Sequence, residues 1–255
     1  MTSVDSSEDP GNPGRYWEID FLRGSAVVMM VAFHFVFDLN FLGIYEIQVY
    51  SGWLEWFAYS IGTIFLLLVG VSLTISYRRA KQKLDARSLR WKYVKRGLWI
   101  FSLGLVVTVV TMVYPGRGYV LFGVLHCIGL SIIAAYVLLP YRWSNLVLGI
   151  LIVIMGTVVA QFTYPFPWLA WLGFAPVGFY SIDYFPILPW FGVVLIGVFV
   201  GNTVYRNLAK VRRNSDRERV RRLEPMLFLG RHSLIIYLLH QPVLFAILYP
   251  LVTTT

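Results

Sequence analysis

Three histidines and one aspartate lie inside long apolar runs of this sequence, where ionisable side chains are costly. They are His34, Asp38, His126 and His240. Ionisable groups at such a depth usually face the interior of a helix bundle and mark a functional site. An imidazole can act as a general base, as a nucleophile, or as a donor to a developing oxyanion. We therefore predict that these four side chains form one catalytic site.

The spacing of these residues along their helices supports a shared site. His34 and Asp38 are four residues apart, so they share a helix face, and we expect Asp38 to hold the His34 imidazole in one tautomer. Tyr237 and His240 lie on one stripe of the last apolar run, which makes Tyr237 a candidate substrate contact. With a rise of about 1.5 Å per residue, the three histidines, including His126, are predicted to lie at similar depth in the membrane.

A second pattern involves Arg23, which lies eleven residues before His34. Eleven residues are three helical turns plus about 20°, so both side chains share a face about 16 Å apart along the axis. A long, thin ligand with an anionic head and a reactive tail fits this spacing, and acetyl-CoA has this shape. As an alternative, Arg23 is only an anchor whose side chain reaches the membrane surface.

The elements that position these residues are apolar runs typical of membrane spans. Of the 255 residues, 58% are hydrophobic and only 14% are charged, whereas soluble domains carry about 25% charged residues. We predict an all-α, polytopic membrane helix bundle, because each run is close to the roughly 20 residues needed to cross a bilayer. The seven predicted spans are Phe21–Leu42, Gly52–Tyr77, Gly97–Tyr114, Tyr119–Leu139, Leu146–Phe162, Ile187–Tyr205 and Met226–Leu251.

The chain is predicted to form a single transmembrane domain over residues 15–255. Residues 1–14 are polar, acidic and rich in Pro and Gly, which is typical of a disordered tail rather than of a cleavable signal peptide.

The net charge of +9 is concentrated in two short basic loops, after the second and the sixth predicted spans. Placing both loops and the N-terminus in the cytoplasm satisfies the positive-inside rule and puts the C-terminus outside. This concentration argues against nucleic-acid binding. The loops are either topology determinants alone or a binding surface for an anionic cofactor. The predicted cofactor-binding residues are Arg23, Arg78, Arg79, Arg96 and Arg231.

The segment of residues 163–186 is aromatic and interrupted by four prolines, which exclude a regular α-helix. Asp183 is its only carboxylate, so we expect a substrate contact at an external opening. An aromatic belt at the membrane interface is the alternative explanation.

Several blocks of the sequence resemble integral-membrane acyltransferases of the heparan-alpha-glucosaminide N-acetyltransferase family and the broader membrane sugar O-acyltransferases. The resemblance covers most of the chain and implies a cytoplasmic acetyl-CoA donor, an acceptor sugar on the far side and transfer within the membrane at a histidine. The blocks are EIDFLRGSAVVMMVAFHFVFDL (18–39), FLLLVGVSLTISYRR (65–79), FGVLHCIGLS (122–131), DYFPILPWFGVVLIGVFVGN (183–202) and FLGRHSLIIYLLHQP (228–242).

The predicted function is therefore transfer of an acetyl group from cytoplasmic acetyl-CoA to an amine or hydroxyl of a sugar or glycolipid. An intramembrane histidine would act as the base or nucleophile, and a prokaryotic plasma membrane is the expected location. Two alternatives remain open, namely a haem- or metal-binding redox protein and a small proton-coupled transporter. A homo-oligomer is also left open.

Overall fold

The computed structural model describes residues 16–114, 118–205 and 221–252. In these ranges the chain is all-α, as predicted, and its only β-type pairing is an isolated bridge between Phe122 and Tyr184. The helices are α1 (Trp17–Phe41), α2 (Gly52–Lys81), α3 (Ala86–Val113), α4 (Val124–Ala135), α5 (Trp143–Val159), a 3₁₀ helix (Pro167–Leu172), α6 (Ile187–Val204), α7 (Glu224–Arg231) and α8 (Ser233–Val252).

Five of the described helices are long and apolar enough to cross a membrane, namely α1, α2, α3, α6 and α8. The apolar helices α4 and α5 are shorter, with 12 and 17 residues. Each predicted span therefore has an apolar helix at its position, and the protein is an integral membrane protein of the helical-bundle class.

In the structure the seventh predicted span is broken and the fourth is shorter than predicted. The predicted span Met226–Leu251 is divided between α7 and α8, because the backbone of His232 leaves helical geometry (φ −103°, ψ 16°). The fourth predicted span begins too early, since residues 119–123 are not helical. Their main-chain groups bind elsewhere: the Leu121 N–H donates to Ser181 Oγ, and Phe122 O accepts from the Phe185 N–H.

The first predicted basic loop is largely helical. Helix α2 continues to Lys81 and α3 begins at Ala86, with Asp85 capping it by accepting the N–H groups of Arg87 and Ser88. Hydrogen bonds from Ser88 are the main reason that the pKa of Asp85 lies below its usual range. The predicted tail of residues 1–14, and residues 206–220 of the second basic loop, lie outside the described residues.

The described residues form two compact units. Unit 1 takes its residues from 1–61 and 214–255, and contains α1, the first turns of α2, α7 and α8. Unit 2 comprises residues 62–213 and contains the rest of α2 with α3 to α6. The prediction of a single domain over residues 15–255 stays a prediction.

Helices α1 and α7 of unit 1 pack with their backbones in close contact. A Cβ atom at Gly24 would collide with the carbonyl oxygen of Met226, and one at Gly230 would collide with the carbonyl oxygen of Asp20. Small residues permit this approach, as they do generally between helices in membranes. The contact fixes the start of α1 against the end of α7.

Unit 2 uses the same device between α2 and α6. A Cβ atom at Gly70 would meet the backbone of Val194, and one at Gly197 would meet the backbone of Leu67. Close packing of α3 on α4 and of α5 on α6 completes the unit.

Candidate functional site

Two imidazole rings lie side by side in unit 1 and form what we call the imidazole pair, His34 on α1 and His240 on α8. Their ring centroids are 4.6 Å apart, with the planes 70° from each other. This contact between two of the four predicted catalytic residues results from the packing of α1 against α8.

Each ring of the imidazole pair is held through Nδ1 by a main-chain carbonyl of its own helix. His34 Nδ1 lies 2.9 Å from Met30 O, and His240 Nδ1 lies 2.7 Å from Tyr237 O. Because a carbonyl only accepts, Nδ1 must carry the proton, and Nε2 of each neutral ring keeps its lone pair. Both rings therefore present a basic, nucleophilic nitrogen away from their backbone.

Asp38 is fully buried on α1, and its partner differs from the predicted one. Its Oδ1 accepts a hydrogen bond of 3.3 Å from Nε2 of Gln241 on α8. The expectation that Asp38 holds the His34 ring is not met in the observed hydrogen bonds, because Met30 O occupies the Nδ1 atom of His34 instead. The backbone of α1, rather than the aspartate, fixes the tautomer of His34.

Three buried polar atoms, on Asp38 of α1 and on the adjacent His240 and Gln241 of α8, lack partners in the described part of the chain. They are Asp38 Oδ2, His240 Nε2 and Gln241 Oε1, and we call their residues the polar cluster. Buried polar atoms in native proteins are almost always hydrogen-bonded, so exceptions call for a bound group or a functional explanation. Three such atoms within unit 1 indicate a site where a ligand would supply the missing partners.

Aromatic side chains border the imidazole pair and the polar cluster. The rings of Phe33 and Phe37 lie 5.6 Å and 6.3 Å from that of His34, both edge-on. On α8, the ring of Tyr237 lies 5.7 Å from that of His240. The site thus combines a few polar atoms with apolar walls, a common composition for small-molecule sites.

The α1–α7 contact brings two predicted cofactor-binding residues to the same end of unit 1. A Cβ atom at Gly24 would lie 3.3 Å from the Gly230 nitrogen. Arg23 directly precedes Gly24, and Arg231 directly follows Gly230. Arg23 pairs with Asp20 at 3.3 Å, and Arg231 pairs with Glu224 at 2.8 Å. Both arginine side chains are partly exposed, so an anion can reach their guanidinium groups.

His126 belongs to unit 2, where its hydrogen bonding is the reverse of that of the imidazole pair. Its Nδ1 accepts the N–H of Gly123 at 3.2 Å, so the neutral ring must carry its proton on Nε2. The residue is 2% exposed, and its Nε2 has no partner among the described residues. The rings of Phe101 and Phe122 lie 5.1 Å and 5.3 Å away.

His126 therefore offers a buried hydrogen-bond donor rather than a base. The prediction that it lines one cavity with His34 and His240 stays a prediction.

Asp183, the predicted substrate contact of the proline-rich segment, lies at the start of α4. Its Oδ2 accepts the Val124 N–H at 3.0 Å, and this carboxylate satisfies one of the unpaired amides at the helix start. Main-chain bonds between residues 119–122 and 182–185 hold the aspartate there. A role in shaping the N-terminus of α4 accounts for Asp183, and substrate contact remains a prediction.

The three remaining cofactor candidates lie in unit 2. Arg78 donates to Asn202 Oδ1 at 2.9 Å and to Tyr205 O at 3.2 Å, so it caps the end of α6. Arg79 and Arg96 are exposed. Arg78 is thus engaged in packing, whereas the other two present their side chains at the surface.

Of the two forms of the redox alternative, a site for a bare metal ion would require a cluster of protein ligands. In the ranges 16–114, 118–205 and 221–252, no group of three or more His, Cys, Asp or Glu side chains is arranged to hold a metal ion. The geometry therefore adds no observation in favour of a bare metal site, and haem binding stays an open alternative.

A family model matches most of the chain. Residues 15–242 match the family described as heparan-alpha-glucosaminide N-acetyltransferase, catalytic. The chain belongs to this family. The match covers both units, and it includes every member of the imidazole pair and the polar cluster. Searches of the curated proteins and of the solved structures returned no significant match.

One residue of the site in this member of the heparan-alpha-glucosaminide N-acetyltransferase family was not predicted from the sequence. Gln241 directly follows His240 and bonds Asp38, yet it was not among the predicted site residues. A polar amide within an apolar run was the available signal, since such groups in membranes usually face other helices.

Proposed function

We propose that this protein transfers the acetyl group of acetyl-CoA to an amine or hydroxyl of a sugar or glycolipid acceptor, with His34 as general base. The observation that carries the proposal is the imidazole pair. His34 keeps the lone pair of Nε2 available because its Nδ1 is bound to Met30 O. Membership of an acetyltransferase family gives this basic nitrogen its chemical context.

The proposed reaction moves one proton and exchanges one bond. The acceptor nitrogen or oxygen attacks the thioester carbonyl carbon and forms the new C–N or C–O bond. His34 Nε2 takes the proton of the attacking group. The C–S bond breaks, the CoA thiolate leaves, and the proton on His34 passes to the sulfur. The products are the acetylated acceptor and CoA with a free thiol, and His34 returns to its neutral form.

We propose that Arg23 and Arg231 bind the phosphates of the donor. Guanidinium groups match phosphate oxygens in geometry and charge. The α1–α7 contact brings together Gly24 and Gly230, which are the chain neighbours of these two arginines. His34 lies about 16 Å further along α1, at 1.5 Å per residue, which suits an extended pantetheine arm. The exposed Arg79 and Arg96 are further candidates for this role.

The experiment that tests the function measures acetyl transfer by the purified protein. Labelled acetyl-CoA is incubated with methyl α-glucosaminide or methyl α-glucoside, and the acetylated sugar and the free thiol are both quantified. Equal amounts of the two products are expected, because the reaction releases one thiol per acetyl group transferred. Failure to acetylate either sugar, or any lipid-linked sugar, would contradict the proposal.

The role of Arg23 is tested with Arg23→Ala. A lost hydrogen bond to a charged group is worth about 1.5–3 kcal/mol, so the KM for acetyl-CoA should rise roughly tenfold or more. The KM for the acceptor and the Tm should stay at their wild-type values. An unchanged affinity for CoA in a direct binding assay would leave Arg23 as a membrane anchor only.

A prokaryotic plasma membrane is the location that we propose, with the N-terminus in the cytoplasm. Cysteine labelling at Ser88 and at Thr254 would test this orientation, because the two positions are predicted to react from opposite sides of the membrane.

A further inference from the structure

The polar cluster is a buried site whose hydrogen-bonding capacity is incompletely used. Asp38 is fully buried and His240 is 8% exposed. Gln241, next to His240 on α8, donates from Nε2 to Asp38 Oδ1 on α1 at 3.3 Å. Asp38 Oδ2, His240 Nε2 and Gln241 Oε1 lack partners among the described residues. A buried polar atom without a partner destabilises the fold unless a ligand completes it.

All three of these atoms are hydrogen-bond acceptors. A carboxylate oxygen only accepts hydrogen bonds. Gln241 must turn Nε2 toward Asp38, because the flipped amide would place two oxygens against each other, so Oε1 is left as an acceptor. His240 uses Nδ1 as the donor to Tyr237 O, which makes its Nε2 an acceptor too. The polar cluster thus presents three acceptors and calls for a ligand rich in N–H or O–H donors.

The position of the cluster gives this ligand a place in the reaction. His240 belongs both to the cluster and to the imidazole pair, 4.6 Å from the ring of His34. A donor group bound by the cluster would lie within reach of the base that must deprotonate it. Thioesters carry carbonyl acceptors and no donor at the reacting carbon, so the cluster does not suit that end of the donor molecule.

We propose that Asp38, His240 and Gln241 form the subsite that binds the N–H or O–H groups of the acceptor, and that Gln241 is the positioning residue that orients the Asp38 carboxylate. This inference rests on the proposed function for the identity of the ligand as an acceptor. Gln241 Nε2 fixes one carboxylate oxygen, which directs the other toward the ligand. Gln241 Oε1 adds a contact of its own.

The first test is Gln241→Met, which keeps the length of the side chain and removes both the donor and the acceptor. The KM for methyl α-glucosaminide or methyl α-glucoside should rise tenfold or more, since each lost hydrogen bond is worth about 1 kcal/mol. The KM for acetyl-CoA should not change. Gln161→Met is the matched control, because Gln161 is exposed in unit 2 and should keep wild-type kinetics.

A second variant tests the same subsite in case Gln241→Met fails to fold. Asp38→Asn preserves an oxygen for Gln241 Nε2 but replaces Oδ2 with an NH₂ group, which faces the ligand's donors with another donor. Its KM for the acceptor should therefore rise at least as much as in Gln241→Met. Thermal unfolding in detergent identifies any variant that has lost the fold.

Equilibrium binding of the two sugars, measured without acetyl-CoA, separates the inference from the proposed function. If the wild-type protein transfers no acetyl group but binds a sugar, and Gln241→Met weakens that binding, the function is wrong and the subsite stands. If transfer occurs and both variants keep the acceptor KM of the wild type, the subsite is wrong and the function stands. Preference for the glucosaminide assigns the cluster to an amine, and equal binding assigns it to hydroxyl groups. Binding of neither sugar overturns the inference.

Discussion

The histidines of the two units are bound to their backbones in opposite ways. In unit 1, Nδ1 of His34 and of His240 lies against a carbonyl oxygen in the preceding turn of its own helix. In unit 2, Nδ1 of His126 accepts the N–H of Gly123 at the start of α4. A histidine inside a helix meets carbonyls, whereas one in the first turn meets unpaired amides.

Position along a helix therefore decides the chemistry of each ring. The imidazole pair can accept protons, and His126 can donate a hydrogen bond. Glutamine keeps a hydrogen-bond donor but has no basic nitrogen. The kcat of variants in which each ring is replaced by glutamine therefore distinguishes the two roles.

The largest effect is expected for His34→Gln. General base catalysis contributes about 10²- to 10⁴-fold, and the amide cannot replace the imidazole, so kcat for acetyl transfer should fall by that factor. His232→Gln is a matched control, because His232 Nδ1 also lies 2.9 Å from the carbonyl oxygen four residues earlier, that of Phe228. Equal activity of the two variants would show that His34 has no special role.

The next largest effect is expected for His126→Ala. The predicted role of His126 is to donate a hydrogen bond to the oxyanion that forms in the transition state. Removing one such buried donor costs about 10²- to 10³-fold in kcat. His126→Gln should keep much of the activity, because the amide restores an N–H donor near the position of Nε2. Equal loss in both variants would contradict the donor role and the comparison with the imidazole pair.

A smaller effect on stability is expected for Gly230→Ala and Gly197→Ala, one in each unit. The added Cβ of either variant would meet the backbone of a neighbouring helix, and overpacking of this kind destabilises by about 1–3 kcal/mol. Both variants should lower the Tm. Only Gly230→Ala should also raise the KM for acetyl-CoA, because it separates Arg23 from Arg231. A raised KM in Gly197→Ala would indicate that the effect is general loosening.

The smallest effect concerns the helix starts of the two units. In unit 2, Asp85 caps α3, and hydrogen bonds to Ser88 hold its pKa below the usual 3.8. The folded state thus favours the carboxylate, so its stabilisation is present above pH 3.8 and is lost as the pH falls through the lowered value.

Asp85→Ala should therefore lower the Tm slightly at neutral pH, and the difference from wild type should vanish in acid. In unit 1, Tyr16 gives α1 no side-chain cap. For Tyr16→Ala we expect no such dependence on pH between 2 and 7, because this residue supplies no side-chain cap to α1. A constant Tm difference for Asp85→Ala over that range would contradict the capping argument.

The sequence predicted the apolar helices, and it predicted one site of His34, Asp38, His126 and His240, of which the structure shows the contact between His34 and His240. Apolar runs determine where helices form in lipid, and a rise of about 1.5 Å per residue determines depth. The pairing of Asp38 with Gln241 was not predicted, because it depends on the rotation of α8 about its axis. The late start of α4 was also missed, since the main-chain groups of residues 119–123 bind a segment about sixty residues away.

The close contact between α1 and α7 has a consequence for biogenesis. Residues 20–24 meet residues 226–230, so some two hundred residues must leave the ribosome before unit 1 can be completed. At about 5–20 residues per second, translation alone delays this step by at least ten seconds. During that interval α1 is in the membrane without its partner, while unit 2 can already assemble from helices that follow one another along the chain. Unit 1, which holds the imidazole pair, can therefore be completed only after the helices of unit 2 have been synthesised.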